Sequence, residues 1–173
     1  ARALDMTLVD RPYDASDPAG DMRARIELAI PLLATHDFVH VHVKATDEAA
    51  HTKQPAFKRD IIEAMDQGLA ALPQLAASTV VAVTGDHASP STGALLHSGD
   101  PTPFVVAAPG LRPDAVKALG ELAALGGEAG RLRADDVLPC LAGLANRPFF
   151  LGHRPGAVRS LAMPAAPEPM PLS

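Results

Sequence analysis

Three short polar clusters hold the residues of this chain best suited to chemistry. In Thr46-Asp47-Glu48-Ala49-Ala50-His51, Asp47 and His51 stand four apart. If the segment turns helically they share a face, and a carboxylate and an imidazole so placed can chelate one cation. In Thr84-Gly85-Asp86-His87 the acid and the imidazole are adjacent. Neighbouring side chains ordinarily diverge, but in a tight turn after glycine both can face one cation, or straddle two cations a few ångströms apart as two-metal phosphoryl transfer requires. The third cluster is His97-Ser98-Gly99-Asp100. Taken singly, each also resembles an ordinary solvated helix face or loop. Taken together, Asp47, His51, Asp86, His87 and His97 form a divalent-metal ligand set. Imidazole and carboxylate without thiolate suit Zn or Mn, and Mg less well because it prefers an all-oxygen shell. Two such cations would polarise a phosphoryl oxygen and lower the pKa of a hydroxyl nucleophile.

Other polar residues carry less weight. His40 and His42 have the His-x-His spacing of some metal hydrolases, but on a buried strand they read as structural or supporting groups. Lys44 stands at that strand's end, where it either faces an anionic substrate or is simply solvated. Ser89, Ser91 and Thr92 lie close to His87 and offer hydroxyls, yet their surroundings have the composition of an ordinary loop. Cys140 is the single cysteine, in an Ala/Leu-rich segment, and reads as a packed thiol.

The elements that must position these groups alternate between strand and helix. Residues 3–9 read as a short strand, followed by a Pro/Asp/Gly-rich loop over 11–20. Asp21 is placed to cap a helix from Met22 to about Leu33, with Ile26, Ala29, Ile30 and Leu33 on one face and Pro31 bending or ending it. The β-branched, period-two run from Phe38 to Val43 predicts a strand. Pro55 opens a helix to Leu72. Thr79 to Thr84 and Pro103 to Ala107 predict two more buried strands. Asp114 to Leu125 and Ala134 to Ala145 predict helices, the latter with Asp135 and Asp136 near its positive end. Such alternation predicts an α/β domain of three layers around a mostly parallel sheet, because parallel neighbours need helical crossovers. All three clusters then fall at strand ends, the edge where open parallel sheets bind ligands.

At 173 residues, with 47% apolar content and a formal charge of -5, the chain can bury a core as one main domain. Residues 1–154 are expected to form that domain, and the Pro-rich stretch 155–173 a disordered tail. No basic cluster offers a nucleic-acid footprint, and no apolar run approaches the roughly 18 residues of a membrane span. One cysteine is compatible with a reducing cytoplasm. The chain begins at Ala1 with no initiating Met and no signal pattern, as a processed or truncated product would.

The segments Asp37-Phe38-Val39-His40-Val41-His42-Val43-Lys44-Ala45-Thr46-Asp47-Glu48-Ala49-Ala50-His51, Val83-Thr84-Gly85-Asp86-His87-Ala88-Ser89-Pro90 and His97-Ser98-Gly99-Asp100-Pro101-Thr102-Pro103 resemble the archaeal type of cofactor-independent phosphoglycerate mutase, within the alkaline phosphatase superfamily. The likeness extends over roughly Asp21 to Phe150. It implies an alkaline phosphatase-like fold in which Asp47, His51 and His97 hold one metal while Asp86 and His87 help hold a second. In the family an Asp and a nucleophilic Ser from the N-terminal part complete the second metal's shell. Neither is identifiable here, and the substrate-binding insertion is missing as well, so the resemblance is to a C-terminal portion whose partner is the missing N-terminal part. The implied reaction interconverts 3-phosphoglycerate and 2-phosphoglycerate through a phosphoserine, a cytoplasmic step of glycolysis on a phosphorylated small molecule. Another phosphatase, phosphomutase or phosphodiesterase of the superfamily, or a non-catalytic metal-binding domain derived from it, would share the same ligands.

Overall fold

Asp17, followed by Pro18, opens the first helix of the computed structural model, which describes residues 5–147. The Asp17 carboxylate accepts from the Gly20 N–H at 2.9 Å, and α1 runs Pro18–Leu32. The expected cap at Asp21 is therefore corrected by one turn. Proline suits the first helical position, where its missing N–H is not needed, so the acid just before it is the better cap. Asp21 instead lies inside the first turn, 2% exposed. There it pairs with Arg25 at 2.7 Å and Arg11 at 3.5 Å. Pro31 falls in the last turn, and the helix ends one residue later.

The described residues form two compact units. One comprises the residues up to Leu72 together with His87–Asp100, the other Pro73–Asp86 together with the residues from Pro101 onward. In the first, α1 packs on α3 (Pro55–Gly68), and α3 also packs on α2 (Ala45–His51). Small side chains set these approaches. Ala45, Ala49 and Ala50 of α2 are all buried, and Ile26 of α1 joins them in the core. At Gly68 an added Cβ would meet Met22 Cβ at 2.6 Å and the Ala19 carbonyl at 2.7 Å, so only glycine permits this closeness of α1 and α3. Pro55 opens α3 as expected, but the helix stops at Gly68 rather than Leu72.

Residues 38–43 alternate as the sequence predicts, with Val39, Val41 and Val43 half-buried and Phe38, His40 and His42 exposed. They have no ladder partner among the described residues, and the described part of 3–9 is likewise not a strand. A strand exists only when a neighbour takes up its N–H and C=O groups, which alternation alone cannot guarantee. His40 and His42 are thus not on a buried strand.

The second unit contains the one sheet found among the described residues. β1 (Val81–Thr84) pairs with β2 (Phe104–Ala107), with Val81 opposite Ala107 and Thr84 opposite Phe104. This pairing is antiparallel. The described residues therefore give an α/β chain with a small sheet, and the expectation of a mostly parallel, three-layer arrangement is not met in them. The short helix α4 (Leu72–Leu75) leads toward β1. Of the helix expected over Asp114 to Leu125, only α5 (Glu121–Ala124) forms. Asp114 accepts from the N–H groups of Val116 at 2.8 Å and Glu128 at 3.1 Å. That side chain offers the backbone an alternative to the helix. The last helix, α6 (Ala134–Leu144), carries Asp136 back onto the Arg133 N–H at 3.2 Å. Cys140 on this helix is half-buried. The tail expected over 155–173 lies outside the described residues.

Candidate metal centre

Helix α2 turns the first cluster into a ligand pair. Its length, Ala45–His51, is just enough to bring Asp47 and His51 onto one face a turn apart, with Asp47 Oδ1 3.4 Å from His51 Nε2. The other half of the centre comes from residues 87–100 of the same compact unit. The Ser98 N–H donates to the Ala88 carbonyl at 2.9 Å, forming an antiparallel bridge between Ala88 and Ser98. In that register Ser89 stands opposite His97, with His87 diagonal to it on the same face. The His87 and His97 ring centroids are 4.1 Å apart.

The two halves meet. His97 Nε2 lies 3.4 Å from Asp47 Oδ1 and 3.2 Å from His51 Nε2. Ligands about 2.0–2.1 Å from a tetrahedral cation stand roughly 3.3–3.4 Å from one another. The three pairwise separations among Asp47, His51 and His97 match such an edge, so these residues fit a shared divalent cation. His87 is close by: it, Asp47 and His97 each offer a ligand atom, all within 4.8 Å of one another. Asp86 belongs to the other compact unit. His40 and His42 contact each other on their own segment, with ring centroids 6.1 Å apart and planes tilted by 52°. The Lys44 carbonyl accepts from Glu48 in the first turn of α2 at 2.9 Å.

Ser89, which the sequence makes look like part of an ordinary loop, is 7% exposed. Its hydroxyl donates to Asp47 Oδ1 at 2.5 Å and lies 3.2 Å from His87 Nδ1. The hydroxyl has one proton, and it is directed at Asp47. The second contact is then a hydrogen bond only when His87 Nδ1 is the donor. One serine thus contacts both a carboxylate and an imidazole of the centre. The Ser89 bond is also the main reason that the Asp47 carboxyl is held below its usual range. Partial burial opposes it, and His51, His97 and His87 add to it. Asp47 is thereby kept anionic, the form a cation needs. The side chains of Asp47, His51 and His97 are 29%, 38% and 48% exposed, so the ligands remain open to solvent.

Fold and ligand geometry together define an α/β chain with a carboxylate and imidazole centre suited to a divalent cation. The chain belongs to the Metalloenzyme superfamily, whose family model matches residues 13–134. Among curated relatives it is 36% identical over 144 residues to the 2,3-bisphosphoglycerate-independent phosphoglycerate mutase of Thermococcus kodakarensis, a match covering 78% of this chain and 35% of that one. It is 37% identical to the enzyme of the same name from Pyrococcus furiosus, with the same coverage. The Thermoplasma volcanium enzyme is 38% identical over 146 residues, 84% of this chain and 36% of that one. The solved structure of the PH0037 protein from Pyrococcus horikoshii superposes with a TM-score of 0.67 at 35% identity, covering 79% of this chain and 40% of that one. The resemblance read from the three motifs therefore holds, and it is to a portion: the chain spans about 35% of the length of the first two relatives.

Proposed function

We propose that this chain is the C-terminal portion of a metal-dependent phosphoryl-transfer enzyme that interconverts 3-phosphoglycerate and 2-phosphoglycerate through a phosphoserine. The nucleophilic Ser would lie outside the present sequence. The observation that carries the reading is the triangle of Asp47 Oδ1, His51 Nε2 and His97 Nε2, with sides of 3.4, 3.4 and 3.2 Å. Its support in kinship is the set of phosphoglycerate mutases matched at 36–38% identity.

In this reading Asp47, His51 and His97 would hold one divalent cation, Mn or Zn, while Asp86 and His87 contribute to a second. When bound, the cations supply charge neutralisation for a phosphoryl group and activation of a hydroxyl. The residues of this chain do the positioning. Asp47 holds the one negative charge in the triangle of ligands, His51 and His97 present nitrogen lone pairs, and Ser89 keeps Asp47 and His87 in place. Catalysis of this type rests mainly on such preorganisation. We place the enzyme in the cytoplasm with its substrate; no helix among the described residues is long and apolar enough to cross a membrane.

The test is calorimetric titration of the isolated chain with Zn and Mn, together with an assay for 3-phosphoglycerate to 2-phosphoglycerate conversion. Binding without turnover is expected from this chain, because a missing nucleophile costs several orders of magnitude in rate. Joining it to the N-terminal portion of a relative should restore turnover, and Asp47→Asn should abolish it. Full turnover by the isolated chain would place the nucleophile within it. A joined protein that hydrolyses other phosphate esters but not phosphoglycerate would instead make it another phosphatase of the same superfamily.

A further inference from the structure

The residue just past the C-cap of α2 is Lys53, and its backbone is left-handed, with φ 57°. That conformation crowds Cβ against the following carbonyl, which is why helix ends of this kind favour glycine. The lysine that stands here does not extend into solvent. Its ammonium donates to the Pro90 carbonyl at 2.8 Å and also to the Leu95 carbonyl. Both acceptors lie in the loop between His87 and His97. Lys58, in the first turn of α3, donates to the Ser89 carbonyl at 2.7 Å. Two half-buried lysines thus hold three carbonyls of one loop, all within a single compact unit.

We propose that Lys53 is a positioning residue for the metal centre. The ligand set is split between α2, which carries Asp47 and His51, and a loop that carries His97, 46 residues further on. Nothing in the geometry of either piece fixes the 3.2–3.4 Å separations between them. Lys53 stands directly after the first piece and grips the second at two points, one on each side of Gly93. Gly93 has φ 70° and open space around it, so the middle of the loop has little to brace it. Strained backbone kept at a site is retained when the surroundings over-determine it. Here the side-chain bonds do so. The ammonium sets the distance and orientation at which the His97 imidazole meets Asp47 and His51. Lys58 steadies the Ser89 end of the same loop. This inference rests on the metal reading above.

The experiment compares Lys53→Gly, Lys53→Met and Lys53→Arg with the parent chain, by zinc titration, by thermal unfolding without metal, and by amide hydrogen exchange over residues 88–98. Lys53→Gly relieves the backbone while deleting both carbonyl bonds. Its metal-free melting temperature should match or exceed the parent's, yet its zinc affinity should fall about 10-fold or more, as for other groups that orient ligands. Exchange in the loop should become faster. Lys53→Met keeps the stem and the strained backbone, and should lose both affinity and melting temperature. Lys53→Arg retains donors and should keep most of the affinity. A residue that served stability alone would not separate affinity from melting temperature in this way. If the parent binds zinc and Lys53→Gly binds it equally well with unchanged loop exchange, the positioning role is overturned while the metal reading stands. If the parent chain binds no zinc, the metal reading falls and this inference falls with it.

Discussion

Ser89 Oγ donates to Asp47 Oδ1 at 2.5 Å across a sequence separation of 42 residues. This bond links the helix that carries two of the three triangle ligands to the loop that leads to the third. It is also the bond least visible in the sequence, since a serine beside Pro90 reads as loop.

Replacing that serine tests its role directly. Ser89→Ala should weaken zinc binding by about 10- to 100-fold, the range seen when a group that orients a ligand is lost. Stability of the metal-free chain should fall by only about 1 kcal/mol, the net worth of one partly solvated hydrogen bond. Calorimetric titration and denaturant unfolding measure the two separately. Unchanged zinc affinity would show that Asp47 and His87 are oriented by other means.

Gly68 decides how closely α1 and α3 approach. Gly68→Ala places a methyl group where Met22 Cβ lies at 2.6 Å and the Ala19 carbonyl at 2.7 Å. Backbone cannot yield cheaply there, so a loss of about 1–3 kcal/mol is expected, despite the better helix propensity of alanine. Thermal unfolding would reveal it, and a variant as stable as the parent would mean that the two helices separate freely.

Asp21 is the buried carboxylate of the first unit, held by Arg25 at 2.7 Å and Arg11 at 3.5 Å. The Arg25 guanidinium also donates to the Arg11 carbonyl at 3.0 Å, which ties the entering chain to α1. Asp21→Asn removes the charge while keeping the shape, and should destabilise the chain by about 1.5–3 kcal/mol. The loss should be smaller in Arg11→Ala, whose side chain is 39% exposed. Equal effects of the two would contradict the geometry.

Asp14 gives a prediction in pH. The Ser16 hydroxyl at 2.6 Å, aided by the Ser16 N–H at 2.9 Å, holds the Asp14 carboxyl below the usual aspartate range. A carboxyl depressed on folding contributes stability that is present above its unfolded pKa, near 4, and is lost as pH falls through the lower native value. Ser16→Ala should move the Asp14 titration upward toward the ordinary value in a carboxyl-detected NMR experiment. The group is fully solvated, so an unmoved midpoint would show that the turn, rather than the hydroxyl, sets it.

Relationships confined to a single element were legible in the sequence. The four-residue spacing of Asp47 and His51 determines that they share a face once Ala45–His51 is helical. The alternation from Phe38 to Val43 likewise reappears as alternating exposure. Pro55 marks the start of α3 where proline is tolerated. Motif order was enough to point to the family, because it preserves ligand chemistry even where the intervening residues differ. Spacing could not show which distant groups meet: the resemblance implied that His97 joins Asp47 and His51, and tertiary structure decided how they and the groups around them come together. That His97 completes a triangle with Asp47 and His51, that Ser89 reaches Asp47, and that Lys53 reaches the Pro90 and Leu95 carbonyls all depend on how α2 and one loop fold onto each other. The sheet shows the same division: β propensity marked Thr79 to Thr84 and Pro103 to Ala107, within which Val81–Thr84 and Phe104–Ala107 form strands, but their antiparallel pairing was not written in either one. For the run from Phe38 to Val43, propensity produced no ladder among the described residues. A strand's side chains report which face is buried, whereas its hydrogen bonds need a second segment, whose presence and direction no single run of residues encodes.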